Sequence, residues 1–381
     1  MNILRRLNWT NTLFLTLTPL LAIIGIIFIA TQGTFHLATL WFAIIFFISA
    51  SLAVTVGYHR LFSHRSYRAA WPVRLVWLLL GAATFEGSAI EWSSDHRRHH
   101  LYTDTDRDPY SINKGFWFAH MGWLFMLDRS KRDFSNVQDL MADPLVRLQH
   151  RFYTPIAITM GFIFPLLLAA LWGDAWGGLI IAGALRITLT QQMTFCINSV
   201  SHTFGKRTYS EQSARDNWFT ALFTFGEGFH NFHHQFAIDY RNGVRAYHFD
   251  PSKWLIATLS YLGLAKDLKR VSQEQIIRYR VESQQKQLRE LAQLNAQQET
   301  IEQQMYHFVQ PLYARILKVV AHMEQLKKDY RALKKAKLEH YQGRITRYHR
   351  YVAAYKLRLK KTQAELKDAL SMWSKMVRNY G

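Results

Sequence analysis

Four long stretches almost without charge decide most of what this chain can become. Leu13–Ala30 runs for 18 residues, Ala38–Gly57 for 20 and Tyr153–Gly173 for 21, all without Asp, Glu, Lys or Arg. A fourth, Ala175–Val200, holds a single charge, Arg186. A helix rises 1.5 Å per residue, so about 20 apolar residues cross a hydrocarbon layer of about 30 Å. The pattern predicts an all-α integral membrane protein with transmembrane helices at about 13–30, 38–57, 153–173 and 175–200. A cleaved signal peptide does not account for the first run, which is too long for an h-region and is followed by another within eight residues. Leu75–Phe85 and Phe116–Leu127 are apolar but too short to span, and read as interfacial or re-entrant helices.

Positive charge gives the orientation. Arg5 and Arg6 precede the first run, and the segment between the second and third is rich in Lys and Arg. The connections after the first and third runs, residues 31–37 and Asp174, have neither. Basic residues stay on the cytoplasmic side. The expected arrangement is two hairpins with short outer turns, and both termini and the long connection in the cytoplasm of a cell inner membrane.

On that cytoplasmic side the histidines gather. His59 and His64 lie in "GYHRLFSHRSY", His96, His99 and His100 in "EWSSDHRRHH", His202 in "NSVSHTFG", and His230, His233 and His234 in "EGFHNFHHQF". Residues at i, i+3 and i+4 share one helix face, so each HxxHH group presents three imidazoles together. His59 and His64 are five apart, about 140° around an α-helix, so the chain is expected to leave α geometry between them. Neutral imidazole is a ligand for iron, zinc, copper or nickel. Cys196 is the only cysteine, which excludes a thiolate cluster within one chain. Nine imidazoles exceed the coordination of one ion and suit two ions at four or five nitrogens each. The eight other histidines (36, 120, 150, 248, 307, 322, 340 and 349) fit no such spacing.

The order HxxxxH, HxxHH, a lone His after a later span, then HxxHH resembles the membrane fatty-acid desaturases, most closely the acyl-CoA Δ9 (stearoyl-CoA) branch. The stretches "GYHRLFSHRSY", "EWSSDHRRHH", "HMGWLF", "NSVSHTFG" and "GEGFHNFHH" carry the resemblance, over roughly residues 10–260. It implies a cytoplasmic helical cap with two iron ions (Fe2+/Fe3+) on those nine histidines, and Asn198 holding a water at one metal. It implies O2-dependent insertion of a cis double bond, of Δ9 type, into a saturated acyl chain. Ser94 stands where acyl-CoA enzymes generally carry a basic residue, and Asp128 precedes Arg129, Lys131 and Arg132 after "HMGW". The carrier is thus left open between acyl-CoA and a membrane phospholipid.

Among nearby residues, Asp95 and Glu227 are candidates to accept the second N–H of ligating histidines, as carboxylates commonly do. Asp104, Asp106 and Asp108 are further candidates. Trp92 either lines an acyl tunnel or anchors at the interface. Arg186, a charge within a span, either faces a polar cavity or pairs with Gln or backbone carbonyls. No His-Pro-Gly-Gly haem motif, Cys cluster or Gly-rich flavin fingerprint is present, so electrons are expected from a separate ferredoxin, rubredoxin or b-type cytochrome with its reductase. A related histidine-box hydroxylase is the nearest alternative. A metal transporter or sensor would require polar ligands inside the spans, which have almost none.

Residues 1–265 thus read as the membrane desaturase domain and 266–381 as a basic C-terminal extension. From Lys266 onward there are 25 Lys and Arg against 11 Asp and Glu, a net +14 of the chain's +20. The segment reads as a helical hairpin or coiled coil with Pro311 as a break and a turn near Gly343. Its charge suits anionic lipid or an acidic redox partner; nucleic acid is not expected.

Overall fold

All four apolar runs form helices, and three of them extend further than their apolar length. The structure is a computed structural model that describes residues 7–127, 133–294, 305–340 and 345–380. Arg5, Arg6, Asp128, Arg129, Lys131, Arg132 and the expected turn at Gly343 lie outside the described residues. The main helices are α1 (Trp9–Gln32), α2 (Leu37–Ser63), α3 (Trp71–Ala82), α4 (Ala89–Tyr102), α5 (Tyr153–Ala170), α6 (Ala175–Thr203), α7 (His230–Gln235), α8 (Pro251–Tyr261), α9 (Gln273–Leu294), α10 (Gln310–His340) and α11 (Ile345–Tyr380). Of these, α1, α2, α5 and α6 are long and apolar enough to cross a membrane. Large apolar side chains such as Leu17, Ile24, Phe28, Trp41 and Ile45 remain exposed on α1 and α2, the surface that lipid covers. The chain is therefore an all-α, multi-pass membrane protein. The interfacial reading of residues 75–85 corresponds to the shorter apolar helix α3.

The second span changes its winding. Leu37–Leu52 is α-helical, whereas Ala53–Ser63 is π-helical. The amide of His64 donates to the carbonyl of His59 at 3.1 Å, an i to i+5 bond. The wider turn brings His59 and His64 onto one side, and His59 lies within the helix instead of two residues beyond it. Contact with α3 fixes this segment. A Cβ on Gly57 would sit 2.6 Å from the Trp77 Cβ, and one on Gly81 2.4 Å from the Tyr58 ring. Each helix thus receives an aromatic side chain of the other over a glycine.

Two more π-helical segments, Thr159–Ile163 in α5 and Gly178–Leu185 in α6, surround Arg186. Its guanidinium donates to the carbonyls of Ala182 (3.1 Å), Gly161 (3.3 Å) and Ala83 (2.7 Å), and lies 4.4 Å from the centre of the Phe46 ring. Of the two sequence readings, pairing with backbone carbonyls is the one observed.

The chain separates into two compact units: residues up to Arg207 with Gln212–Arg270, and Thr208–Glu211 with Val271 onward. In the first, Arg68–Ala69 pairs antiparallel with Ala265–Lys266, Arg68 opposite Lys266. In the second, α9, α10 and α11 share a core that includes Val281, Leu288, Ile316, Val320, Leu366 and Trp373. The Trp373 indole donates to Gln284 at 2.9 Å.

Replacing Arg186 with Ala removes three hydrogen bonds from a buried cation to backbone carbonyls, each worth roughly 1.5–3 kcal/mol. The expected result is a clear fall in the Tm of the detergent-solubilised protein, partly restored by Arg186→Lys.

Candidate metal centre

Four backbone devices bring the clustered histidines together. The π turn of α2 aligns His59 with His64. The second device is α4, which starts at a capping box: the Glu91 amide donates to Ser88 Oγ at 3.2 Å, and the Ser88 amide donates back to Glu91 Oε2 at 3.1 Å. A regular helix from that point projects His96, His99 and His100 from one face. The last turn of α6 supplies His202, and the short α7 supplies His230, His233 and His234.

Their ring nitrogens form two groups. His59, His64, His96, His100 and His233 make one, and His99, His202, His230 and His234 the other; within each, the donor atoms all lie within 4.8 Å of one another. Nε2–Nε2 distances are 2.9 Å for His59–His233, 2.8 Å for His64–His96 and 2.9 Å for His100–His233. In the second group they are 3.2 Å for His99–His234, 3.1 Å for His230–His234 and 3.1 Å for His202–His230. The groups adjoin, since the His100 and His234 rings stack at 4.3 Å. Imidazole nitrogens about 2.0–2.1 Å from a common first-row metal would be spaced at about this distance. A neutral ring has one N–H, so this many converging nitrogens cannot all be satisfied by hydrogen bonds to each other. The donor set fits a pair of cations.

Several neighbours orient the rings. Glu227 Oε2 lies 2.8 Å from His59 Nδ1, and Asp108 2.9 Å from His99 Nδ1. A carboxylate at Nδ1 keeps the proton there and turns the Nε2 lone pair inward. Ser213 Oγ lies 2.7 Å from His202 Nδ1, and Tyr110 Oη 3.4 Å from His96 Nδ1. Trp92 stacks on His96 at 4.8 Å. Asp95 sits 2.8 Å from Arg98, and Asp104 accepts from the Ser213 amide at 2.8 Å.

Behind Glu227 lies a charge cluster that the sequence reading missed. Arg60 is 1% exposed and donates to Glu227 Oε1 at 2.9 Å, to Asp250 Oδ2 at 3.2 Å and to the Tyr240 carbonyl at 2.9 Å. Asn242 Nδ2 donates to Glu227 Oε2 at 2.6 Å. Asp250 also accepts from the amides of Asn242 and Gly243, both at 2.9 Å, and caps α8. The available signal was Asp-Pro at 250–251, a helix-start pattern, and the arginine beside His59.

Burial holds the imidazoles of His64, His96, His100, His230, His233 and His234 well below the usual histidine range, reinforced by neighbouring imidazoles. They remain neutral and available as ligands at physiological pH. Burial alone would raise the Glu227 carboxyl, but His59 and Arg60 reverse this and leave it at about 2.

A cavity of about 660 Å³ opens onto the cluster. His59, His96 and His230 form part of its wall, with Asn198, Trp92 and Glu86 beside them. Much of the remainder is apolar, including Phe14, Val54, Phe162 and Ile197.

Scattered histidines of the membrane unit have structural contacts of their own. His120 lies 2.9 Å from Ser199 Oγ and 3.0 Å from Gln192 Oε1, and His248 stacks on Phe229 at 4.3 Å. His150 lies 2.7 Å from Ser88 Oγ, at the cap of α4.

The model of the fatty acid desaturase family matches residues 35–261. A probable acyl-CoA desaturase of Schizosaccharomyces pombe is 45% identical over 285 residues, 74% of this chain and 59% of that protein. Acyl-CoA desaturase 1 of Saccharomyces cerevisiae is 41% identical over 288 residues, 74% of this chain and 56% of that protein. Stearoyl-CoA desaturase 5 of Homo sapiens is 39% identical over 277 residues, 70% of this chain and 82% of that protein. The match thus spans less than two thirds of the two fungal relatives.

Removing Arg60 leaves Glu227 and Asp250 as buried carboxylates without their shared cation. Arg60→Ala is expected to cost roughly 3–5 kcal/mol of folding free energy. A thermal melt in detergent that matched wild type would show that the cluster does not stabilise the fold.

Proposed function

Because the chain belongs to the fatty acid desaturase family, we propose that it is a membrane acyl desaturase that places a cis double bond, at Δ9, in a saturated chain. The supporting observation is the junction of an apolar cavity with the two nitrogen groups: His59, His96 and His230 wall a space otherwise suited to a hydrocarbon chain. A chain lying there presents methylenes to the metal centre, away from bulk water.

Two irons are our proposed occupants, one on the five-nitrogen group and one on the four-nitrogen group, with Asn198 adding a water-mediated contact. When bound, iron supplies the power to activate O2 toward unactivated C–H bonds. The chain's own residues position everything else. Glu227 and Asp108 hold the tautomers of His59 and His99, so their lone pairs point inward. The aromatic walls fix which methylenes lie nearest. Two C–H bonds break and one C=C bond forms. O2 takes those two hydrogen atoms with two electrons and two protons from outside, and leaves as two waters.

We take acyl-CoA as the carrier, by extension from the names of the relatives. A phospholipid-borne chain is the second reading, favoured by one observation: Ser94 is buried and locked reciprocally to Asn136, at 2.9 Å in both directions, so it offers nothing to a nucleotide. We assign desaturation to residues 1–265, place the metal centre and both termini in the cytoplasm at the inner membrane, and take the electrons from a separate ferredoxin, rubredoxin or b-type cytochrome. A hydroxylase would share the nitrogen shell and differ in product.

Expressed in a host that needs unsaturated fatty acid, the chain should restore growth with O2 and reductant, and lipid analysis should show a cis-monoene and no hydroxylated acid. His99→Ala and His233→Ala should each lose bound iron and product together; full activity in either would refute the assignment. His322→Ala, in the second unit, should retain both. Purified protein should convert stearoyl-CoA and leave distearoyl phosphatidylcholine unchanged; the opposite pattern assigns the phospholipid carrier.

A further inference from the structure

Glu86 has no part in that reading, yet its side chain lines the cavity. It stands on the turn between α3 and α4, where the backbone is strained. Phe85 has φ +59° and Gly87 φ +97°. A phenylalanine in the left-handed region persists only when its surroundings over-determine it. Here Gln191 Nε2 donates to the carbonyls of Thr84 (3.0 Å) and Phe85 (3.3 Å). The Phe85 ring packs against Phe14 at 4.6 Å and Phe162 at 5.3 Å, and the Gly87 amide donates to the Tyr153 hydroxyl at 3.0 Å.

The turn places the carboxyl between two donors. Thr194 Oγ1 donates to Glu86 Oε1 at 2.9 Å, and Trp92 Nε1 to Oε2 at 3.2 Å. Among the described residues no cation pairs with it. The titratable groups around it are Glu91 and Asp95 on α4, Tyr58 on α2 and Tyr153 on α5, with the imidazoles of His59, His96 and His230 on the cavity wall. Glu91 is engaged in the α4 cap and Asp95 lies against Arg98. The faces of α1 and α6 contribute neutral Thr10, Asn11, Thr190 and Gln191.

We propose that Glu86 is a specificity-determining residue: its carboxyl must be the neutral acid for an apolar chain to lie past Trp92 and Thr194, and its ionisation closes the cavity to saturated acyl substrates. A carboxylate against methylenes is costly without water, and water drawn to it occupies the space of the chain. Burial raises this carboxyl to about 7, which the Thr194 and Trp92 hydrogen bonds only partly counter. The acid is therefore neutral below about pH 7 and ionised above it. The proposal rests on the desaturase reading.

The test is the pH dependence of desaturation by the iron-loaded full chain with stearoyl-CoA and a fixed electron donor. In wild type, kcat/KM should fall about tenfold from pH 6 to pH 8, as one ionisation requires, with the change in KM and not in kcat. Glu86→Gln should abolish that fall. Thr194→Val removes a hydrogen bond that favours the charged form, so it should move the fall to higher pH. Infrared difference spectra of wild type should show a protonated carboxyl at pH 6 that disappears by pH 8 and is missing in Glu86→Gln. A Glu86→Gln profile with the wild-type fall, or a carboxyl already ionised at pH 6, would overturn the proposal. Wild type that forms no double bond at any pH would instead refute the desaturase reading, and the proposal with it.

Discussion

Ring nitrogens at 2.8–3.2 Å repel wherever lone pair meets lone pair, and nine imidazoles converge at such distances here, more than hydrogen bonds among them can satisfy. Protonation would relieve part of the repulsion, but burial makes the charged imidazole costly. The remaining relief is a cation between the rings. The rest of the membrane unit holds rings from four separate segments in one place. The capped α4, the π turn of α2 and the carboxylates at His59 and His99 all serve that end. Arg60 extends the support outward. It joins the end of the second span to the segment before α7 through Glu227, which reaches a ring, and to the loop before α8 through Asp250.

The parts legible in the sequence were those governed by a local period. The spans could be read because lipid demands an unbroken apolar length, and the HxxHH groups because three and four residues return to the same helix face. The spacing of His59 and His64 revealed a departure from α geometry but not its kind, since the π segment is packed against Trp77 and Gly81 of α3, contacts made only in the fold. The apolar runs under-measured α2 and α6, which continue past the last apolar residue to carry His59 and His202. Asp108 and Asp95 are both near the same box in sequence, yet only their three-dimensional neighbours distinguish them: one meets a histidine and the other an arginine. Arg60 with Asp250 was beyond reach, because 190 residues separate the partners. His150 looked scattered and proves to touch the cap of α4.

The charge within the fourth span has an explanation of the same kind. In lipid, each backbone polar group needs a partner inside the protein. The π segments of α5 and α6 and the end of α3 turn carbonyls toward one point, and Arg186 supplies the donors. The cost of burying a guanidinium is offset by its hydrogen bonds to carbonyls of three segments and by the Phe46 ring beside it. Those segments also border the turn that carries Glu86, so the same polar cluster stiffens the far wall of the cavity.

The widened turn in α2 has a consequence for how such a chain can change over time. Along most of a lipid-facing helix, gaining or losing one residue rotates a greasy surface against a greasy solvent, with little harm. Between Ala53 and Ser63 the same event would revert the winding and swing His59 away from its partners, so insertions and deletions should be purged from this stretch even where its individual side chains are free to vary.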